Sequence, residues 1–136
     1  MKSAIKYLHF ADAATVDSSG KVSILGIFDV MFLATLPSKY PKFTVVGTII
    51  LKSLKIGRHT VELKFEDSKN QLLTLSQPIK IEFNVEKEQN EGGFNIILDV
   101  LGLEIKNYGE HKLNIYLDNE FIGARTFKAE ERKIKK

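Results

Sequence analysis

The feature that most restricts this chain is a period-two alternation of apolar and polar side chains that recurs along nearly all of its length. Val61, Leu63 and Phe65 alternate with Glu62, Lys64 and Glu66. Ile79, Ile81, Phe83 and Val85 alternate with Lys80, Glu82, Asn84 and Glu86, and Leu113, Ile115 and Leu117 alternate with Lys112, Asn114, Tyr116 and Asp118. Each run describes a strand with one buried and one wet face. No stretch carries the 3.6-residue period of an amphipathic helix, so parallel strands joined by crossover helices are excluded and an all-β fold remains.

Turn formers divide the alternating runs. A first strand over about Lys6 to Val16 meets Asp17-Ser18-Ser19-Gly20, a hairpin turn, and returns through Lys21 to Leu33. That return strand is apolar in both phases: Val22, Ile24, Phe28, Val30 and Phe32 in one, Leu25, Ile27, Met31 and Leu33 in the other. Pro37 and Pro41 bracket a surface loop, since neither can donate to a central ladder. A β-branched strand follows from Phe43 to Leu54, then the half-wet strands above, with a mobile charged loop expected at Lys87 to Gly93 and an apolar strand at Phe94 to Ile105. The last hairpin turns at Asp118-Asn119-Glu120 and returns through Phe121 to Phe127. About eight short strands with one-sided polarity predict an antiparallel two-sheet β-sandwich, immunoglobulin-like or similar. At 136 residues the chain is one domain, residues 1–128, with a charged flexible tail over residues 129–136.

Composition removes whole classes of chemistry. With no cysteine there is no disulfide, thiolate metal site or cysteine nucleophile. Twenty Lys and Arg against seventeen Asp and Glu leave a net charge of +3, with the two signs alternating along the chain. A nucleic-acid binder concentrates its basic charge on one face, so no nucleic-acid partner is expected. The longest apolar run, Val45 to Leu51, is far below the ~20 residues of a membrane-spanning helix, and no signal-peptide pattern opens the chain. The expected location is cytoplasmic.

Aligning the chain with itself exposes one internal correspondence. Gly57, His59, Val61, Leu63, Phe65 and Asp67 match Gly109, His111, Leu113, Ile115, Leu117 and Asn119 at a constant offset. A glycine followed two residues later by a ring at the start of a strand is similar to the corner of immunoglobulin-like sandwiches, where a tyrosine usually stands. His59 and His111 are therefore expected to be corner residues, each with one nitrogen on a nearby carbonyl or water.

Phe10-Ala11-Asp12, Gly20, Ile24-Leu25-Gly26-Ile27-Phe28-Asp29, Pro37, Pro41 and Gly57-x-His59 together resemble an uncharacterised bacterial family, a domain of unknown function with a small β-sandwich fold. The resemblance runs to about Phe127. It implies a fold and carries no catalytic signature.

Candidates for a polar site are Asp12 and Asp29, carboxylates within apolar strands where burial would raise a pKa toward general acid work, together with His59 and His111. The three histidines lie too far apart for a local zinc motif. Asp17, Asp67, Asp99 and Asp118 fall in or near turns, where loop carboxylates bind calcium in some β-sandwiches and where Asp is also the ordinary turn residue. No Gly-x-Ser-x-Gly elbow and no phosphate-binding loop is present. No catalytic residue, metal or cofactor is assigned. The sequence reads as a non-enzymatic protein-interaction module that binds another protein or itself, the alternative being a small-ligand or calcium-binding β-sandwich.

Overall fold

The computed structural model describes residues 3–73, 79–87 and 89–132. Their elements are all strands: β1 (Ala4–Val16), β2 (Val22–Phe28), β3 (Val30–Leu33), β4 (Ser38–Tyr40), β5 (Phe43–Leu54), β6 (Gly57–Glu66), β7 (Ile79–Val85), β8 (Gln89–Val100), β9 (Leu103–Ile105), β10 (Gly109–Leu117) and β11 (Glu120–Glu131). One sheet has the order β2-β1-β5-β8, a second β3-β11-β10-β6-β7, and β4 pairs with β9 in a small third. The two larger sheets share one hydrophobic core. Phe10 of β1 meets Phe127 of β11 edge to face at 5.1 Å, and Phe43 of β5 meets Phe65 of β6 at 6.2 Å, so aromatic rings close the space between the sheets.

Among the described residues eleven strands stand where about eight are expected, and the excess has three sources. The Lys21 to Leu33 run is two strands, because the chain crosses from one sheet to the other at Asp29. Its two apolar phases belong to two environments: Phe28 turns toward the core from β2, whereas Met31 and Leu33 are buried from β3. The Phe94 to Ile105 run is likewise two strands, interrupted at Gly102 with φ 65°. The Pro37 to Pro41 loop holds β4, which β9 pairs.

Further expectations are corrected. The loop expected at Lys87 to Gly93 is largely strand, since Gln89 to Gly93 pair with Leu54 to Ile50. The tail expected over residues 129–136 is in part strand, because Lys128 to Glu131 pair with Val30 to Leu33 and Ala129 is buried; residues 133–136 lie outside the described residues. That β3–β11 pairing is parallel, the one departure from antiparallel order among the described ladders. Asn114, expected on a wet face, is buried on the outer side of β10. Of a short run that the sequence marks at Leu72 to Leu75, Leu72 bridges to Glu66 and the Leu73 N–H donates to the Phe65 carbonyl, while residues 74 and 75 lie outside the described residues.

Gly47 shows how closely the strands approach. It faces Leu8 across the β1–β5 ladder beside a β-bulge between Ile5 and Tyr7, and a Cβ there would lie 2.6 Å from the Tyr7 carbonyl oxygen. Only glycine admits the bulged strand.

Candidate functional site

The histidine corners come together through the β6–β10 ladder. Leu63 pairs with Ile115, and every pair in that register sums to the same value, 178. The sequence offset of 52 maps Leu63 onto its own partner, so the internal correspondence is a local two-fold axis through this pair. Continuing the register sets His111 beside Asp67 and His59 beside Asn119. Each histidine therefore lies next to the turn that ends the other strand.

At one end, His59 Nδ1 contacts Asp118 Oδ2 at 2.6 Å and Nε2 contacts the Lys55 carbonyl at 2.7 Å. Phe83 of β7 stacks on the ring at 5.6 Å. Asp118 Oδ1 accepts from the Thr60 backbone N–H, and Thr60 accepts in turn from the Asp118 N–H. Asp118 and Asn119 have φ of 48° and 68°, the left-handed pair that a two-residue hairpin needs and that Asp and Asn tolerate. Two acceptors on one ring favour the doubly protonated form: the Asp118 carboxylate first, and the Lys55 carbonyl second, raise the His59 pKa above its ordinary value. With both nitrogens donating, the ring has no lone pair for proton abstraction.

At the other end His111 is fully buried and stacks on Phe127 at 5.3 Å. Its Nδ1 donates to the Gly109 carbonyl at 2.9 Å, and Nε2 has no hydrogen-bond partner among the described residues. Asp67 Oδ1 accepts from the Lys69 and Gln71 backbone N–H groups, and Oδ2 from Asn107 Nδ2. Burial opposes the charge on Asp67, but these bonds and the nearby His111 prevail and hold its pKa below the usual value. The tyrosine of this corner is Tyr108, whose hydroxyl donates to the Leu33 carbonyl at 3.1 Å and so ties β3 to the strand entrance. Spacing hides this bond, because the partners are 75 residues apart.

Asp12 and Asp29 are both exposed, which corrects the expectation of carboxylates buried in apolar strands. Asp12 lies across from Gly26, whose φ is 72°, and its carboxylate fills the space a Gly26 side chain would take. Asp29 sits at the crossing between sheets, where its carbonyl accepts from the Lys128 N–H. The four candidates are thus dispersed over the hairpin, the crossing and the two ends of the β6–β10 pair. The turn carboxylates are dispersed too: Asp17 Oδ1 binds Ser19 and the Lys21 N–H, and Asp99 binds Thr44 and Lys42. Among the described residues no three His, Asp or Glu side chains are grouped as metal ligands.

Two surface features remain. A cleft of about 370 Å³ lies beside Asp118, lined by Ser3, Lys52, Leu54, Glu120 and Phe121 among others. The second is the β1–β2 hairpin. The β1–β5 ladder stops at Ala11 and Thr44, while β1 and β2 stay paired to Val16 and Val22, so the hairpin continues past the sheet as a two-stranded ribbon. It exposes Leu25 by 71%, Ile27 by 55% and Val16 by 51%. Leu25 and Ile27, the second apolar phase of the expected return strand, are covered by nothing among the described residues.

Fold and sites together define an all-β domain with two histidine corners and an apolar edge hairpin. Residues 6–130 match a family of unknown function, DUF6941, and the chain belongs to that family. No curated protein matches it. Among solved structures, the chain is similar to part of the Pseudomonas fluorescens alkylpurine DNA glycosylase AlkC bound to DNA containing an abasic-site analog. That likeness has a TM-score of 0.51 at 11% identity over 94% of this chain and 30% of the other. A β-glucosidase from Listeria innocua in complex with isofagomine gives 0.47 at 11% identity, over 97% of this chain and 17% of the other. The chain thus spans less than a third of either protein, and the glycosylase likeness is one of fold.

Proposed function

We propose that this chain is a non-enzymatic protein-interaction module of the bacterial cytoplasm, an immunoglobulin-like two-sheet sandwich that takes its partner at the edge of the β2-β1-β5-β8 sheet. The observation that carries the reading is the exposed ribbon. Leu25 and Ile27 stand on an edge strand that is hydrogen-bonded on one side only, and covering an apolar side chain of that size is favourable by about 1.5–3 kcal/mol. An unprotected strand edge also offers main-chain hydrogen bonds to an incoming strand.

Two features support a module without catalysis. Both His59 nitrogens are committed to acceptors of the same chain, and the candidate carboxylates do not converge on a cavity. The alternative, a small-ligand site, is favoured by the clefts beside Asp118, where both Asp118 oxygens already serve the His59 corner, and by a smaller one of about 210 Å³ that Asp29 lines with Glu110 and Glu130.

A photoreactive side chain placed at Leu25 in cells tests the proposal. Adducts to protein are expected from position 25 and not from Asn84, an exposed position on β7. Equal labelling at the two positions, or no protein adduct at position 25, would remove the reading.

A further inference from the structure

The occupant of this edge can be argued from the charges that bound it. From Val22 to Phe28 the strand carries no charged residue; Lys21 stands immediately before it and Asp29 immediately after. Both flanking residues are exposed, and neither side chain has a hydrogen bond or ion pair among the described residues. An antiparallel strand laid on β2 meets these two charges at its own two ends, so a fitting partner has an acidic residue opposite Lys21, a basic residue opposite Asp29 and seven uncharged residues between.

β2 itself meets that description. Two copies related by a two-fold axis through Leu25 pair residues whose numbers sum to 50. Lys21 then lies opposite Asp29 of the second copy, Asp29 opposite its Lys21, Val22 opposite Phe28 and Ser23 opposite Ile27. A symmetric contact normally sets like against like. Here the spacing of the flanking charges sets unlike against unlike twice, and nothing charged lies on the axis. Alternation also fits at the start of the strand: the turn bond from the Asp17 N–H to the Lys21 carbonyl begins the β1–β2 ladder, after which Val22 and Ile24 direct their main-chain groups to the free edge, before the backbone leaves extended geometry at Gly26 with φ 72°. The sum of 50 pairs even residues with even residues, Ile24 with Gly26 and Val22 with Phe28. The opposite edge of the protein differs. On β7 the charges Lys80 and Glu82 are engaged by Glu62 and Arg58 of the same chain, as in an ordinary protected edge.

We infer that β2 pairs antiparallel with β2 of a second copy of this chain about a two-fold axis at Leu25, joining two four-stranded sheets into one of eight, with Lys21 and Asp29 exchanging ion pairs across the contact. The inference rests on the interaction reading above and names its partner.

Light scattering and sedimentation of the full chain over a range of concentrations test it. The wild type is expected to be a dimer. Leu25→Lys sets two ammonium groups together on the axis and is expected to weaken the dimer by about a hundredfold or more, while its melting temperature at monomeric dilution stays near that of wild type, since Leu25 is exposed. Lys21→Asp and Asp29→Lys each place like charges opposite one another and are expected to weaken it about tenfold, and the double exchange Lys21→Asp with Asp29→Lys should restore it. A monomer at every concentration, a dimer indifferent to Leu25→Lys, or a double exchange no better than the single variants would each overturn the self-pairing. The crosslinker at position 25 separates the two levels of argument. Adducts to a different protein would keep the interaction reading and sink the dimer, whereas no adduct to any protein would sink both.

Discussion

Replacing Gly47 by alanine adds one methyl group where the protein has no room for it. The new Cβ would sit 2.6 Å from the Tyr7 carbonyl oxygen, 2.9 Å from Leu8 Cδ1 and 3.3 Å from Leu8 Cα. Ordinary contact begins near 3.4 Å, so the β1 backbone must retreat by 3.4 − 2.6, or 0.8 Å. Retreat on that scale loosens the ladder to β5 and withdraws Leu8, which is 5% exposed, from the core. Overpacking of this kind costs about 1–3 kcal/mol, and an obstruction that is backbone places the value at the upper end, about 3 kcal/mol. At about 2.1 cal/mol/K of unfolding entropy per residue, a chain of 136 residues changes by ~0.29 kcal/mol for each degree, so the melting temperature should fall by about 10 °C. Gly93→Ala supplies the control. A Cβ there meets only Thr48 Cγ2 at 3.9 Å, and the loss of unfolded-state freedom should leave stability unchanged or raised by up to ~1 kcal/mol. Calorimetric melts of the three proteins decide the matter. Equal melting temperatures for Gly47→Ala and Gly93→Ala would show that β1 does not press on Gly47 and that the bulge is misplaced.

Other expectations follow from the corners and the core. His111→Phe should stay within about 1.5 kcal/mol of wild type, because it keeps the ring on Phe127 and removes a buried nitrogen without a partner, while His111→Ala should lose about 2–4 kcal/mol through the cavity; chemical denaturation giving the reverse order would refute this. His59 has a raised pKa in the folded state, so its contribution is complete below the ordinary histidine value near ~6.5 and is lost as pH rises through the folded value. The melting-temperature gap between wild type and His59→Gln should therefore narrow from pH 6 to pH 9, and a gap that widens would contradict the Asp118 pairing. Leu63→Lys or Ile115→Lys buries an unpaired charge at the local axis and should abolish folding, whereas Lys64→Ala should change stability by less than ~0.5 kcal/mol, both read by circular dichroism.

The alternation of Val61, Leu63 and Phe65 was legible because a half-buried strand needs no information from its neighbours. Asp29 was not, since no glycine or proline marks the crossing. The available signal was a slip of phase, with Phe28 facing inward and the next inward residues at Met31 and Leu33, an odd step where a continuous strand takes even ones. Read as one strand, that slip looks like apolarity on both faces. The strands β4 and β9, three residues each, are too short to show a period at all. As for the site, the repeat containing His59 and His111 could be found by alignment, but its meaning required knowing that β6 and β10 are antiparallel neighbours. That adjacency is a long-range fact, and it alone brings Asp118 to His59.

The parallel pairing of β3 with β11 bears on the order of folding events. Val30 and Lys128 are partners separated by 98 residues along the chain. Closing that loop costs about 2 kcal/mol more entropy than closing a ten-residue one, so this ladder gains its bonds only after hairpins such as β1–β2 and β10–β11 have shortened the effective path. During synthesis Met31 leaves the ribosome 98 residues ahead of Ala129, the buried residue that lies beside it. A nascent chain therefore carries a sticky, half-covered β3 until β11 has emerged to close over it, and only then is that strand protected from aggregation.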